Sequence, residues 1–327
     1  MEKFIVITTI NPLTPEIKAF LKTEFWKVII IGDEKSTMIQ NASNLDFYSL
    51  EKQDSTSFKL LTKLPINHYS RKNIGYLIAM KGKASMIYET DDDNRPLENW
   101  VWPNFYCAER IDAGNRFVNI FTYFSKDHSW PRGFPLEYIK DQQTNCRVKH
   151  SDGNEIGVWQ GQVAGDPDVD AIFRLTSAKI PAFNNNPPVY IKKGHYCPFN
   201  SQNTLWNPRA FPLMYLPVFV TSRFTDILRG YIAQRMMRDF DLHLGFVSPN
   251  VFQKRNHHNL MQDFQDERDV YLNITRIVDI LDSTDTGNNM LQGLRSLYKA
   301  LCENGILPKG ELEIVDLWCN DIINLGL

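Results

Sequence analysis

The sequence predicts an α/β fold built on a parallel sheet with crossover helices. β-branched apolar runs alternate with segments of helical periodicity over the first ninety or so residues, and these runs stop at small residues or acids. The first run, Phe4 to Thr9, gives way to Asn11-Pro12 and then to Pro15 to Leu21, whose apolar residues have helical spacing. Trp26 to Ile31 reads as a second buried strand ending at Gly32-Asp33, and Leu45 to Leu50 as a weaker third. Asn73 to Met80 is an apolar-periodic helix that feeds the run Ala84 to Tyr88, which leads into Asp91-Asp92-Asp93. Ligands of such sheets bind at the carboxyl ends of strands, and Thr8-Thr9, Gly32-Asp33 and the aspartate triplet all sit at such ends.

Length and composition narrow the function. A chain of 327 residues with 43% hydrophobic content can bury a sizeable core, as one large α/β domain or two closely packed ones. Its 36 basic and 38 acidic residues give a formal charge of -2, which removes the broad electrostatic case for nucleic acid. The five cysteines are widely spaced with no Cys-x-x-Cys pair, against both a zinc knuckle and a disulfide scaffold. The N-terminal apolar run is too short for a signal sequence and no other run approaches a membrane span. The expectation is a cytoplasmic protein with no integral membrane segment, whose one route to a membrane is peripheral, through its acceptor.

From about residue 100 the alternation breaks. Two stretches, Tyr123 to Leu136 and Gly165 to Leu175, are long and rich in rings, Pro and acids, a pattern of functional loops. The many aromatic residues in loops fill gaps between layers more often than they stack on sugars. Helical periodicity returns at Phe219 to Met237, Asp269 to Leu281, Asn288 to Cys302 and Glu311 to Leu325.

Carboxylates at a strand end can hold a hard divalent cation, which in turn can hold a diphosphate. If the backbone stays extended through the triplet, Asp91 and Asp93 share one face. Asp93 is then expected on the metal, and Asp91 on the metal or on donor hydroxyls beside Asp92. Arg71, Lys72 and Asn73 open the preceding helix, where cations gain nothing from the helix dipole and suit a phosphate, although a solvated basic turn fits equally well. Asp33 can bond a nucleoside or close a turn. A general base for an acceptor hydroxyl is sought at Asp226, Asp168 or Asp170. His257 can complete a metal shell and Arg255 can meet a diphosphate. No Gly-x-Ser-x-Gly, P-loop, His-Glu-x-x-His or Gly-x-Gly-x-x-Gly motif is present.

Six ordered blocks carry a family resemblance: Arg71 to Leu77 leading to Asp91 to Asn94, Trp130 to Leu136, Asp166 to Leu175, Pro198 to Thr204, and Asp226 to Tyr231. Together they resemble the STELLO-like glycosyltransferases, and are distantly similar to the reversibly glycosylated polypeptides, which are sugar-nucleotide mutases. The resemblance implies a GT-A fold, with a nucleotide-sugar-binding Rossmann-type half over residues 1–100, an acceptor half over 101–240, and a helical extension over 241–327. It implies an Asp-x-Asp motif at Asp91 and Asp93 carrying Mn2+ or Mg2+, and places Asp226 where inverting members have their base. The implied donor is a UDP- or GDP-linked sugar and the acceptor a glycan or lipid-linked saccharide. STELLO-like proteins are anchored in the Golgi membrane, and no anchor is legible here. Two other readings use the same residues: a mutase acting on the sugar nucleotide itself, and a catalytically silent scaffold that binds nucleotide or a partner enzyme.

Overall fold

A computed structural model describes residues 2–98, 100–255 and 259–327. Among them ten strands form one mixed sheet: Lys3–Thr8 (β1), Trp26–Ile31 (β2), Leu45–Tyr48 (β3), Met86–Thr90 (β4), Asn94–Pro96 (β5), Tyr106–Asp112 (β6), Arg147–Gly165 (β7), Val189–Ile191 (β8), Asn203–Trp206 (β9) and His243–Gln253 (β10). Their order across the sheet is β3-β2-β1-β4-β9-β7-β6-β8-β10-β5, with β7 and β10 also paired directly.

The first four strands are parallel, in the order 3-2-1-4 of a Rossmann-type half. Pro15–Phe20 (α1), Leu50–Asp54 (α2) and Lys72–Lys81 (α3) lie in the connections between them. Strands covered on both faces need apolar residues at every position, and β1 divides accordingly. Phe4 and Val6 join the cluster under α3, whereas Ile5 and Ile7 join the opposite cluster with Ile17 and Phe20 of α1. Gly75 lets α3 come close to the sheet, since a Cβ there would stand 2.5 Å from Val6 Cγ1.

Strand direction gathers the chemistry at one edge. β4 and β7 each pair antiparallel with β9, so they run the same way, and β10 is parallel to β7. The carboxyl ends of β1, β2, β4, β7 and β10 therefore point to one side. They deliver Thr9, Asp33, the aspartate triplet, Asp166 to Asp168, and Arg255.

The second half holds Phe121–Phe124 (α4), Ala171–Thr176 (α5), Ser222–Asp239 (α6), Leu260–Asp266 (α7), Arg268–Ser283 (α8), Met290–Glu303 (α9) and Gly310–Asn324 (α10). Two of the expectations drawn from the sequence change here, the start of the helical extension and the extended aspartate triplet. β10 lies within the sheet, so the helical C-terminal part starts at Leu260 and not at residue 241. The 19-residue β7, polar and glycine-bearing, has too little apolar alternation to be read as a strand. The backbone is not extended through the aspartates: β4 ends at Thr90, and Asn94 N–H donates to the Asp91 carbonyl at 3.4 Å in a turn. The shared face predicted for Asp91 and Asp93 is lost with it.

Candidate active site at the carboxyl edge of the sheet

Two clefts meet at the aspartate turn. The first, of about 430 Å³, is lined by Thr8 to Asn11, Gly32, Asp33, Lys35, Asn67 to Tyr69, Arg71, Asp91 and Asp92. The second, of about 210 Å³, is lined by Asp91 to Asp93, Arg132, Asp168, Arg174, Gln202, Arg223, Asp226, Gln253 and Arg255. Asp91 and Asp92 belong to both.

Each aspartate is held by a different element. Thr9 Oγ1 and Asn11 Nδ2 donate to Asp92 Oδ2 at 2.5 and 2.9 Å. Tyr69 OH and Lys72 Nζ reach Asp91 Oδ1 at 3.2 and 3.3 Å. Gln253 Nε2 donates to Asp93 Oδ2 at 2.8 Å. Burial at the cleft floor pushes the Asp91 carboxyl up to about 6; Lys72 opposes this, and Asp93, Asp226 and Asp92 add to it.

Two carboxylate oxygens at the turn are available to a hard cation. Among the described residues, Asp91 Oδ2 and Asp92 Oδ1 carry no hydrogen bond, so each acid offers an oxygen while the other anchors its side chain. No group of three or more His, Cys, Asp or Glu side chains with the spacing of a complete metal shell occurs among the described residues. One or two carboxylates suffice where phosphate oxygens and water fill the shell. His257 lies outside the described residues.

The second cleft is an alternation of acids and guanidiniums. Arg132 donates to Asp226 Oδ1 and Oδ2 at 3.1 and 3.0 Å, and through Nε to both oxygens of Asp168 at 2.9 and 3.0 Å. Gly133, at φ 89°, turns the chain directly after it. Burial opposes the Arg132 charge, but Asp168 and Asp226 together hold its pKa well above the usual value. Burial likewise works against an ionised Asp168, yet Arg132 and Arg223 keep its carboxyl well below the usual range. Arg174 pairs with Asp166 at 2.6 Å, Arg223 donates to Glu267 at 2.8 Å, and Arg255 pairs with Asp263 at 2.7 Å. All four guanidiniums are thus already neutralised, and an arriving diphosphate has to compete for them.

The remaining candidates sort by where their side chains go. Thr8, Thr9, Asp33 and Arg71 line the larger cleft. Asp33 accepts from the Asn67 and His68 amides, which fixes the cleft wall, and Arg71 donates to Gln53 Oε1. Lys72 is fully buried and also donates to the Thr90 carbonyl at 2.8 Å, holding the end of β4 from beneath instead of facing the cleft. Asn73 is buried against the Leu216 backbone, donating at 2.9 Å and accepting at 2.8 Å, and lines neither cleft. Asp170 caps α5 by accepting from Phe173 N–H at 2.7 Å and Trp130 Nε1 at 2.6 Å, and also lines neither. Asp226 is 5% exposed, with the Ser201 and Ile227 amides donating to it besides Arg132.

No motif in the sequence marks Arg132, Ser201, Gln202, Arg223 or Gln253 for a role. The first three lie inside blocks that carry the family resemblance, which was the available signal. Glu89 was also missed: it is fully buried in β4 and accepts from Tyr76 OH, Trp206 Nε1 at 2.8 Å and Arg229 Nη1 at 2.9 Å.

Fold and site together define an α/β protein with an acid-and-arginine cleft beside a larger polar cleft at the carboxyl ends of its strands. Comparison with known proteins gives that class a family context. A family model for STELLO glycosyltransferases matches residues 223–327, which take in α6, β10 and the C-terminal helices. The chain is 27% identical over 348 aligned positions to "Probable glycosyltransferase STELLO1" of Arabidopsis thaliana, and 26% identical to "Probable glycosyltransferase STELLO2" of the same plant. Each alignment takes in 99% of this chain and 45% of the relative, so the chain spans about half the length of the curated proteins it matches. These matches agree with the resemblance carried by the sequence blocks: the chain is similar to the STELLO glycosyltransferases. A solved structure, S. aureus TarS 1-349 in complex with UDP, aligns over 95% of this chain and 73% of that one, at 11% identity and a TM-score of 0.37, too loose a likeness to bear on the site. No helix among the described residues is long and apolar enough to cross a membrane.

Proposed function

We propose that the chain is a glycosyltransferase domain that moves a sugar from a nucleoside-diphosphate donor to a hydroxyl acceptor. The observation that carries this reading is the junction of the two clefts on Asp91 and Asp92. A nucleoside in the larger cleft leaves its diphosphate at the aspartate turn and its sugar in the smaller one. Mn2+ or Mg2+, held by Asp91 and Asp92 with Asp93 adjacent, would neutralise the diphosphate as it departs.

Arg132, Arg223 and Arg255 line the same cleft, each already paired with a carboxylate, so only a guanidinium that changes partner adds positive charge beside the diphosphate. Transfer with inversion requires a carboxylate to accept the acceptor's proton, and Asp226, at the start of α6 and facing the smaller cleft, is our choice. A carboxylate held by both arms of a guanidinium is a weak proton acceptor. In this reading Arg132 turns from Asp226 to the diphosphate when the donor binds, with Asp168 keeping hold of its Nε. Asp226 is preferred to Asp170 because Asp170 is fully buried as the N-cap of α5.

Calorimetry with UDP and GDP, with and without Mn2+, tests the donor site. The expected result is metal-dependent binding that Asp92→Ala weakens by about 100-fold; no nucleotide binding in any combination would refute the reading. Asp226→Asn is expected to leave nucleotide affinity within about twofold while lowering sugar transfer by at least about 100-fold. Incubation with the donor alone separates this reaction from a mutase, which would yield an isomerised sugar nucleotide without any acceptor.

A further inference from the structure

A chain of amide hydrogen bonds runs from the aspartate turn into the wall of the smaller cleft. Asp93 Oδ2 accepts from the Gln253 amide group at 2.8 Å, which turns Gln253 Oε1 the other way. Gln253 Oε1 in turn accepts from Gln202 Nε2 at 2.5 Å. The polarity of Gln202 is therefore set from two residues away, with its carbonyl oxygen at the free end. That oxygen is buried and has no hydrogen-bond donor among the described residues, while the residue as a whole is 6% exposed. Buried acceptors rarely stay so.

Gln202 stands on the partition between two spaces: the 210 Å³ cleft, and a void of about 30 Å³ next to Gln160, Asn200 and Phe246. The void has room for a water molecule, and the cleft for a single sugar ring. We propose that Gln202 is a specificity residue, reading one hydroxyl of the transferred sugar by accepting its hydrogen, with Gln253 as the positioning residue that fixes the amide. This rests on the smaller cleft being the sugar side of a nucleotide-sugar site. The sugar ring enters beside Asp93, at the end of the relay, so the relay ties hydroxyl selection to the aspartate turn that receives the diphosphate.

Calorimetry on the full chain tests this, using UDP, GDP and a panel of UDP- and GDP-hexoses in Mn2+, followed by the monodeoxy forms of the hexose that binds most tightly. Wild type is expected to prefer one hexose nucleotide over the bare nucleotide, and to lose about tenfold in affinity when one particular hydroxyl is missing. Gln202→Leu is expected to keep its affinity for the bare nucleotide, to lose about tenfold for the hexose nucleotide, and to lose nothing further with that deoxy form. Gln253→Leu, at a half-buried position, is expected to show the same pattern at about threefold. Equal losses on the deoxy forms in wild type and Gln202→Leu would overturn the proposal, as would unchanged hexose-nucleotide binding by that variant, the result expected if a trapped water is the partner of Gln202. If Gln202→Leu loses bare-nucleotide binding as well, and so has not folded, undiminished hydroxyl discrimination by Gln253→Leu overturns it. Failure of wild type to bind any nucleotide counts against the site reading itself and not against the role of Gln202.

Discussion

Asp170 illustrates how a residue can look catalytic and serve structure. It follows the acid-rich turn Asp166 to Asp168, but its carboxyl turns inward to cap α5 and to take the Trp130 indole N–H. Burial pushes it up to about 6, Phe173 and Trp130 pull against that, and Glu267 and Asp168 add to it. The folded chain therefore binds this proton more tightly than the unfolded chain, whose carboxyl stays near 3.8. The contribution is fully present below pH 3.8 and is lost as pH rises through about 6. Asp170→Asn keeps a capping oxygen and does not titrate. Urea unfolding from pH 4 to 7 is expected to show wild type losing on the order of 1–3 kcal/mol relative to this variant. A parallel pH dependence of the two would refute the assignment. Asp168, two residues away, follows the opposite course because Arg132 and Arg223 stabilise its charge against burial.

At the scale of elements, one ion pair joins the strand that leads into the aspartate turn to the helix that carries the proposed base. Glu89 precedes Asp91 by two residues in β4, and Arg229 follows Asp226 by three in α6. Arg229 donates to Glu89 and to the Asn200 carbonyl at 3.2 Å, with its guanidinium 5.0 Å from the Trp206 ring centroid. Both side chains are essentially inaccessible, at 0% and 1%. Removing one charge from such a pair leaves the other buried and uncompensated. Arg229→Ala is expected to lower stability by about 3–5 kcal/mol, measured by denaturant titration. Glu89→Leu with Arg229→Met is expected to recover most of that loss, and stability as low as that of Arg229→Ala would argue against the pair as the cause.

Over the whole molecule, the C-terminal helices hold the two halves of the sheet protein together. In α10, Asp321 accepts from the Lys59 and Leu60 amides at 3.0 and 2.9 Å, far back in the first half of the chain. Glu311, in the first turn of the same helix, takes Tyr215 OH and the amides of Val218 and Phe219, in the segment leading to α6. One helix thus ties the strand-and-helix half to the approach of Asp226. Asp321→Ala leaves two amides without their acceptor and is expected to cost about 1–3 kcal/mol in unfolding free energy, with protease cutting near residue 60 accelerated. Unchanged stability and cutting would show that other packing holds this end.

The sequence by itself determined the first half of the fold and the location of the aspartate turn at the carboxyl edge of the sheet. β1 and β2 carry continuous apolar runs because both of their faces are buried, as does the start of β4 up to Tyr88, and such runs are legible one residue at a time. The aspartate triplet was legible for the same reason, as charge standing where an apolar strand stops. Only the tertiary structure decided how the second half joins the sheet. β7 and β10 contain polar and glycine residues whose burial comes from each other and from β9, contacts that no local period records. The tertiary structure also decided which acids face the cleft. A carboxylate's role depends on what meets it across the fold: Thr9 and Asn11 for Asp92, Gln253 for Asp93, Arg132 for Asp226 and Asp168, and Trp130 for Asp170. Those partners lie tens of residues or more away along the chain, and folding alone brings them together.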